Sequence, residues 1–335
     1  LVDLFHSEED ILCHRLPPPN PPAAPLPPGM LGMLGMHGTH AANIAMQRCD
    51  LLIAVGVRFS DRALGDASKF APNAKVLHID IDRAEINKNV STTLHITGDA
   101  RTVLELLLSR VAQKQHPQWM QQARSMVEDY VNDDKFEPRK ILKAMAQIAP
   151  NMTVATDVGQ HQMWTAQHVR FERTRRFASS GGLGTMGYGL GAAIGAHIAE
   201  GERVVLITGD GSFGMNLNEL ATAVSYQVPV VIVLMNNGVL GMVRQWQKLF
   251  FEQRYSATVL NRKTDFVKLA EAFGAKGCRV ESPEEFRKAF EEAMQYDGPF
   301  VIDTKIDMDE LVLPMLPPGG SIRDIITDVE TEENA

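Results

Sequence analysis

Two short motifs place oxygen ligands and glycines where a diphosphate and a hard cation could be held. Gly209-Asp210-Gly211-Ser212 follows the apolar run Val204 to Thr208, and Asn236-Asn237 follows Val230 to Leu234. Such runs read as buried strands, and in an open α/β sheet ligands bind beyond the carboxyl ends of the strands. Glycines flanking Asp210 let backbone come close to a diphosphate, and the helix expected next offers unpaired N–H groups to the anion. Mg²⁺ takes oxygen ligands in an octahedral array and usually shares them with phosphates, so Asp210 and Asn237 can supply two. Singly, Gly-Asp-Gly is also a turn and Asn-Asn a helix cap. Their pairing at successive strand ends points to the metal.

The elements that must position these groups alternate between helix and strand, which predicts parallel sheets covered by helices. In the first half the pattern gives a helix over 41–48, strands over 51–57 and 76–82, and a helix over 101–111, part of a doubly wound domain. Lys114 to Lys135 is polar with scattered apolar positions (Trp119, Met120, Met126, Val127) and reads as helical spacer. The second half gives helices over 139–148, 186–199, 217–226, 266–273 and 283–295, with strands over 153–158, 204–208, 229–234, 277–280 and 300–306. The expected class is α/β with two doubly wound parallel-sheet domains, the first partial and the second complete. The expected boundaries are an irregular Pro-rich leader over 1–28, the partial domain over 29–115, a linker over 116–137, the complete domain over 138–310 and an irregular tail over 311–335 that ends in a solvated acidic run. The leader run Leu16 to Pro22 favours polyproline II, and Gly29-Met30-Leu31-Gly32-Met33-Leu34 is a local duplication.

A formal charge of -8 and a pI near 5.7 argue against nucleic acid as a partner, since a polyanion needs a basic face. Cys13, Cys49 and Cys278 are far apart and form no CxxC or Cys/His cluster, so neither a disulfide framework nor a zinc site is expected. No stretch approaches the roughly 18 apolar residues of a membrane span. Glu8, Glu9 and Asp10 stand where a secretion signal would be basic. The expected setting is a reducing cytoplasm with no membrane partner.

The Gly209-Asp210-Gly211 to Asn236-Asn237 span resembles the thiamine-diphosphate signature. Five other segments, Gly35 to Thr39, Val57 to Arg62, Asp157 to Trp164, Ser180 to Gly187 and Leu240 to Trp246, resemble the catalytic subunit of the acetohydroxyacid synthases, also called acetolactate synthases. The resemblance runs from about Gly29 to Ile326 with motifs in order and spacing. It implies a partial FAD-binding middle domain and a complete thiamine-diphosphate domain. Mg²⁺ would be ligated by Asp210, Asn237 and the backbone oxygen of Val239. Thiamine diphosphate would be met by Val158, Gly159, Gln160, His161, Gly184, Gly209, Gly211, Ser212, Leu240, Gly241 and Met242. Met186 would support the bent cofactor, and Trp246 would line the acceptor pocket, with Met242 beside them. FAD would be met by His37, Arg58, Asp61, Arg62, Asp80, Ile81 and Asp99, the flavin having no redox duty in the overall reaction.

The implied reaction decarboxylates pyruvate and joins the remainder to a second 2-oxo acid, pyruvate or 2-oxobutyrate, in branched-chain amino-acid biosynthesis. The family's active sites lie between subunits, which implies a homodimer or tetramer, and a small regulatory subunit is a further implied partner. Each residue also has a plainer reading: Met186 and Met242 as core fillers, His161 as a cap, Trp246 as a packing residue, the acidic residues after strands as helix caps. The family's N-terminal domain, with the glutamate that protonates N1' of the aminopyrimidine, has no counterpart here, so an incomplete enzyme is expected. Gly191 stands where the family usually has Pro. Two alternatives stay open: an inactive fragment or standalone cofactor-binding module, and another thiamine-diphosphate enzyme such as glyoxylate carboligase, for which Met242 to Trp246 would not be expected.

Overall fold

Helices begin where short polar side chains can cap them. Thr39 opens α1 (His40–Arg48) by accepting from Ala42 N–H, and Asp99 opens α3 (Ala100–Leu108) by accepting from Thr102 N–H. A computed structural model describes residues 31–112, 114, 116–125, 136–169, 171, 176–321 and 324–327. The Pro-rich leader, Cys13, part of the spacer and the acidic end lie outside the described residues. The chain divides into two compact units, Leu1–Val131 with Leu313–Ala335, and Asn132–Val312.

The first unit contains α1, β1 (Leu51–Val55), α2 (Asp61–Leu64), β2 (Lys75–Asp80), β3 (Leu94–Thr97), α3 and α4 (Pro117–Ser125). Its sheet is parallel in the order β1-β2-β3, with Leu52 opposite Val76 and Ile79 opposite Ile96. The strand β3 was not anticipated: it has four residues, three of them exposed, so no apolar run marks it. Leu52, Val57, Phe59, Phe70 and Val76 form the core, and Phe59 meets Phe70 edge-on at 5.8 Å. Trp119 of α4 packs against that core, so the spacer begins as part of this unit. In the tail Met315 and Leu316 are buried, Met315 pairs with Ile326, and Leu316 N–H donates to Met36 O at 2.8 Å. Burial of those two apolar side chains holds this part of the tail to the first unit.

The second unit runs α5 (Pro138–Ile148), β4 (Thr153–Thr156), α6 (Gln160–His168), β5 (Phe177–Ser179), α7 (Gly189–Glu200), β6 (Val204–Gly209), α8 (Asp210–Asn216) and α9 (Leu220–Ser225). It continues with β7 (Val230–Asn236), α10 (Gly241–Phe250), α11 (Phe266–Phe273), β8 (Lys276–Val280), α12 (Pro283–Ala293) and β9 (Phe300–Lys305). The sheet is parallel in the order β5-β4-β6-β7-β9-β8. The chain leaves β4 to one side for β5 and returns on the other for β6, so the loops after β4 and β6 diverge and leave a crevice at the carboxyl edge.

Two helix starts depart from the sequence pattern. The helix expected over 217–226 is preceded by α8, which begins at Asp210 itself, directly behind extended Gly209. The helix expected from Met186 begins at Gly189, because Gly187 takes φ +87° and the N–H groups of Gly187 and Gly189 are held by Asp157. At Gly191 a Cβ would meet open space.

Leu190, Leu206, Phe213, Ile232 and Phe266 pack one side of the sheet. Phe286 and Phe290 of α12, both fully buried, stack at 5.8 Å. Phe290→Ala should lower the unfolding free energy by about 3–5 kcal/mol in a denaturant titration, through lost burial plus a cavity. His168, in the last turn of α6, is pushed down from 6.5 to about 4 by burial and by Arg139. The fold therefore holds it neutral, while the unfolded chain protonates near 6.5. Its contribution to stability is present above that value and is lost as pH falls toward about 4. Stability measured across that window should decline with acid, and His168→Asn should flatten the decline. An unchanged slope in the variant would remove His168 from the account.

Candidate functional site

Strand β6 delivers Asp210 to the first position of α8, where the neighbouring backbone N–H groups of Asp210 and Gly211 favour its charged form. The side chain is only 4% exposed, and burial raises its pKa to about 6 against the pull of Lys305 and Arg262. It has no salt-bridge partner among the described residues. A buried carboxylate at a helix N-terminus without a cation is a fitting ligand for one.

Strand β7 ends in two asparagines with different fates. Asn236 turns into the sheet and donates from Nδ2 to Asp303 Oδ1 at 2.7 Å, leaving Asn237 at the cleft. Gly238 then takes φ +72° and turns the chain so that Val239 N–H donates to Asn237 Oδ1 at 3.2 Å. The turn is stitched to a neighbouring segment by Leu240 N–H on Thr258 O and Leu260 N–H on Gly238 O, each 2.8 Å. Arg262 caps the other motif, donating to the backbone oxygen of Asp210 at 3.1 Å.

At the end of β4 lies a residue that sequence reading missed. Asp157, 1% exposed, accepts from Gly187 N–H and Gly189 N–H at 2.9 Å each and from Thr208 Oγ1 at 2.7 Å. One carboxylate thus ties the loop carrying Met186 to the strand carrying Asp210. His161, in the first turn of α6, is pushed down to about 4 by burial, which outweighs the opposing charge of Asp157. Its Nε2 is buried with no hydrogen-bond partner among the described residues. Glycine at 209 makes room for this ring, since a Cβ there would lie 3.0 Å from Nδ1. Ser212 Oγ donates to Val158 O at 2.7 Å.

Most of these groups line one cleft. Val158, Gly159, Gln160, His161, Met186, Gly209, Asp210, Gly211, Ser212, Asn237, Val239, Leu240, Gly241 and Met242 all border it. Gly184 and Trp246 do not; Trp246 packs edge-on against Phe250 at 5.5 Å. Trp164, Met235 and Val243 border it as well and were not foreseen. Trp164 could have been suspected from its place one turn beyond Gln160 on the same helix. Among the described residues there is no group of three or more His, Cys, Asp and Glu suited to a metal. A cation here would rest on Asp210, the Asn237 amide and the Val239 carbonyl, with a diphosphate completing its shell. The buried unpaired carboxylate, the open His161 nitrogen and the glycine-lined mouth fit that group.

In the first unit, Arg58 and Asp99 follow the carboxyl ends of β1 and β3, and Asp80 is the last residue of β2. Asp80 is buried and accepts from Asp82 N–H at 2.8 Å, while Ile81 beside it is 75% exposed. Asp99 caps α3. His37, Asp61 and Arg62 gather where Met36 N–H donates to Arg62 O at 2.7 Å, and burial followed by the charge of Arg62 pushes His37 down to about 4. No helix among the described residues is long and apolar enough to cross a membrane.

Residues 157–304 match the C-terminal TPP binding domain of thiamine pyrophosphate enzymes, and residues 25–107 match their central domain. The chain is 46% identical over 286 residues to the acetolactate synthase isozyme 2 large subunit of Escherichia coli, covering 84% of this chain and 52% of that protein. It is 42% identical over 306 residues to the acetolactate synthase large subunit of Haemophilus influenzae, covering 87% and 53%. It is also 42% identical over 315 residues to the mitochondrial acetolactate synthase catalytic subunit of Saccharomyces cerevisiae, covering 87% and 46%. The chain spans about half the length of the curated relatives it matches.

Asp210→Asn keeps the shape and removes the anionic ligand. Calorimetry should show Mg²⁺-dependent thiamine-diphosphate binding weakened at least about tenfold, since hydrogen bonds and contacts to a charged group are worth roughly 1.5–3 kcal/mol. Equal binding by the variant would remove Asp210 from the metal site.

Proposed function

The chain belongs to the thiamine pyrophosphate enzymes, and on that premise we propose that it is the cofactor-holding part of an acetolactate synthase catalytic subunit. The observation that carries the reading is the placement of Asp210 and Asn237 at neighbouring strand ends on one cleft also bordered by Met186 and Met242. The substrates are pyruvate and a second 2-oxo acid, pyruvate or 2-oxobutyrate, and the products feed branched-chain amino-acid synthesis.

Thiamine diphosphate, when bound with Mg²⁺, supplies the electron sink needed to part pyruvate from its carboxylate. Asp210, Asn237 Oδ1 and Val239 O would hold the metal, and the first N–H groups of α8, at Gly211 and Ser212, would be offered to the diphosphate. His161, kept neutral by burial, offers Nε2 to a phosphate oxygen. Met186 and Met242 would support the cofactor, and Trp164 and Met235 would close the apolar wall against water. Asp157 holds Met186's loop at a fixed height over β6. Trp246, one turn beyond Met242, serves the acceptor side.

FAD is assigned to the strand-end edge of the first unit, with Asp80, Arg58 and Asp99 at its centre, Ile81 beside them, and His37, Asp61 and Arg62 in the neighbouring loop; its part is structural. The relatives are called large subunits, which supports a small regulatory subunit as partner, alongside self-association as a dimer or tetramer. Cys49 and Cys278 are free thiols, in keeping with a cytoplasmic setting.

The test is product formation by this chain fused to the remaining half of the Escherichia coli relative. Acetolactate should form from pyruvate only with Mg²⁺ and thiamine diphosphate present; cofactor binding without product would overturn the proposal. With both oxo acids supplied, Trp246→Leu should lower the ratio of acetohydroxybutyrate to acetolactate about tenfold, since one methylene in an apolar pocket is worth roughly 1–3 kcal/mol. The same variant should bind Mg²⁺ and cofactor normally. An unchanged ratio would make Trp246 a packing residue only.

A further inference from the structure

A side-chain amide accepts at one end and donates at the other, and a half-turn exchanges the two. Backbone groups have no such freedom. In the second unit a backbone pair sets the polarity of a buried chain of amides that ends at the metal site. Val312 N–H donates to Gln245 Oε1 at 2.8 Å, and Gln245 Nε2 donates to Val312 O at 3.1 Å. This double contact allows one orientation of Gln245, because reversal would face donor to donor and acceptor to acceptor.

The orientation passes onward. Gln160 meets Gln245 Oε1 with its Nε2, at 3.1 Å, and the same nitrogen donates to Glu310 O at 2.7 Å. Gln160 must therefore present its oxygen to Asn237, whose Nδ2 donates to it at 3.3 Å. Asn237 is left with Oδ1 toward Val239 and the cleft. Gln245 and Gln160 are 1% and 4% exposed, so water is a poor substitute for any of these bonds. Glycine at 241 is what lets the amides pass beneath the start of α10: a Cβ there would collide with Gln160 Oε1 and lie 2.8 Å from Asn237 Nδ2.

We propose that Gln245 is a positioning residue of the metal site, transmitting the fixed polarity of the Val312 backbone through Gln160 so that Asn237 presents oxygen, not its NH₂, to a divalent cation. The proposal rests on the reading of Asn237 as a magnesium ligand. An Asn237 free to turn would face Mg²⁺ with two N–H groups part of the time. The relay removes that state before the metal arrives.

The experiment titrates Mg²⁺ at fixed thiamine diphosphate, following cofactor binding in wild type, Gln245→Met and Gln245→Glu. Gln245→Met deletes the amide at similar volume and should raise the Mg²⁺ concentration for half-maximal binding about tenfold, the worth of a buried hydrogen bond of roughly 1.4 kcal/mol, with binding at saturating Mg²⁺ retained. Gln245→Glu still accepts from Val312 N–H and Gln160 Nε2, and should fall between the other two. A packing role would change stability and leave the Mg²⁺ midpoint in place; an unchanged midpoint in both variants overturns the proposal. Side-chain amide exchange in the metal-free wild type supplies a second reading that needs no variant to fold. Slow exchange of the Gln245 and Gln160 NH₂ protons supports the relay, and free exchange overturns it. Failure of the wild type to bind the cofactor would tell against the site itself, with the relay then judged by exchange alone.

Discussion

A carboxylate held out of water at the end of β6 is the constraint from which the second unit follows. Burying Asp210 without a positive partner is costly, and the fold accepts that cost by placing it on the N-terminus of α8, where two backbone N–H groups and the helix dipole offset part of it. What is left over is a demand for a cation, and the surroundings are arranged to meet it. β7 brings Asn237 alongside, Gly238 reverses the chain, and the segment Thr258 to Leu260 pins the turn.

Two further buried polar groups carry precision into the cleft. Asp157 spends both carboxylate oxygens on holding the Met186 loop and Thr208, so the apolar support and the metal strand move as one body. The amide chain from Val312 to Asn237 does the same for ligand orientation. Both are fully satisfied networks, which rigidify a site where half-satisfied ones would destabilise it. His161 stands apart, because its open Nε2 has no protein partner among the described residues to fix it.

What the sequence made legible divides along physical lines. Asp210 and Asn237 stood out because each follows a long apolar run, and β6 and β7 are almost wholly buried. The strands β3 and β5 stayed hidden because four and three residues, mostly exposed or half-buried, leave no periodic signal. Asp157 and Gln245 were visible as residues but not as roles, since their partners lie 30 and 67 positions away. Trp246, four residues and about 6 Å of helical rise beyond Met242, does not border the cofactor cleft and packs edge-on against Phe250. The spacer's scattered apolar positions did not say which unit it joins; Trp119 packs it against the first unit's core, and Met315 and Leu316 are buried in the tail.

One divalent cation held between Asp210 and Asn237 is the arrangement that diffraction can test most directly. Crystals of the chain grown with thiamine diphosphate and Mn²⁺ in place of Mg²⁺ would locate that ion by its anomalous scattering. A single peak is expected in bonding distance of the Asp210 carboxylate, Asn237 Oδ1 and Val239 O. A bound diphosphate with no peak there, or a peak elsewhere in the cleft, would contradict it.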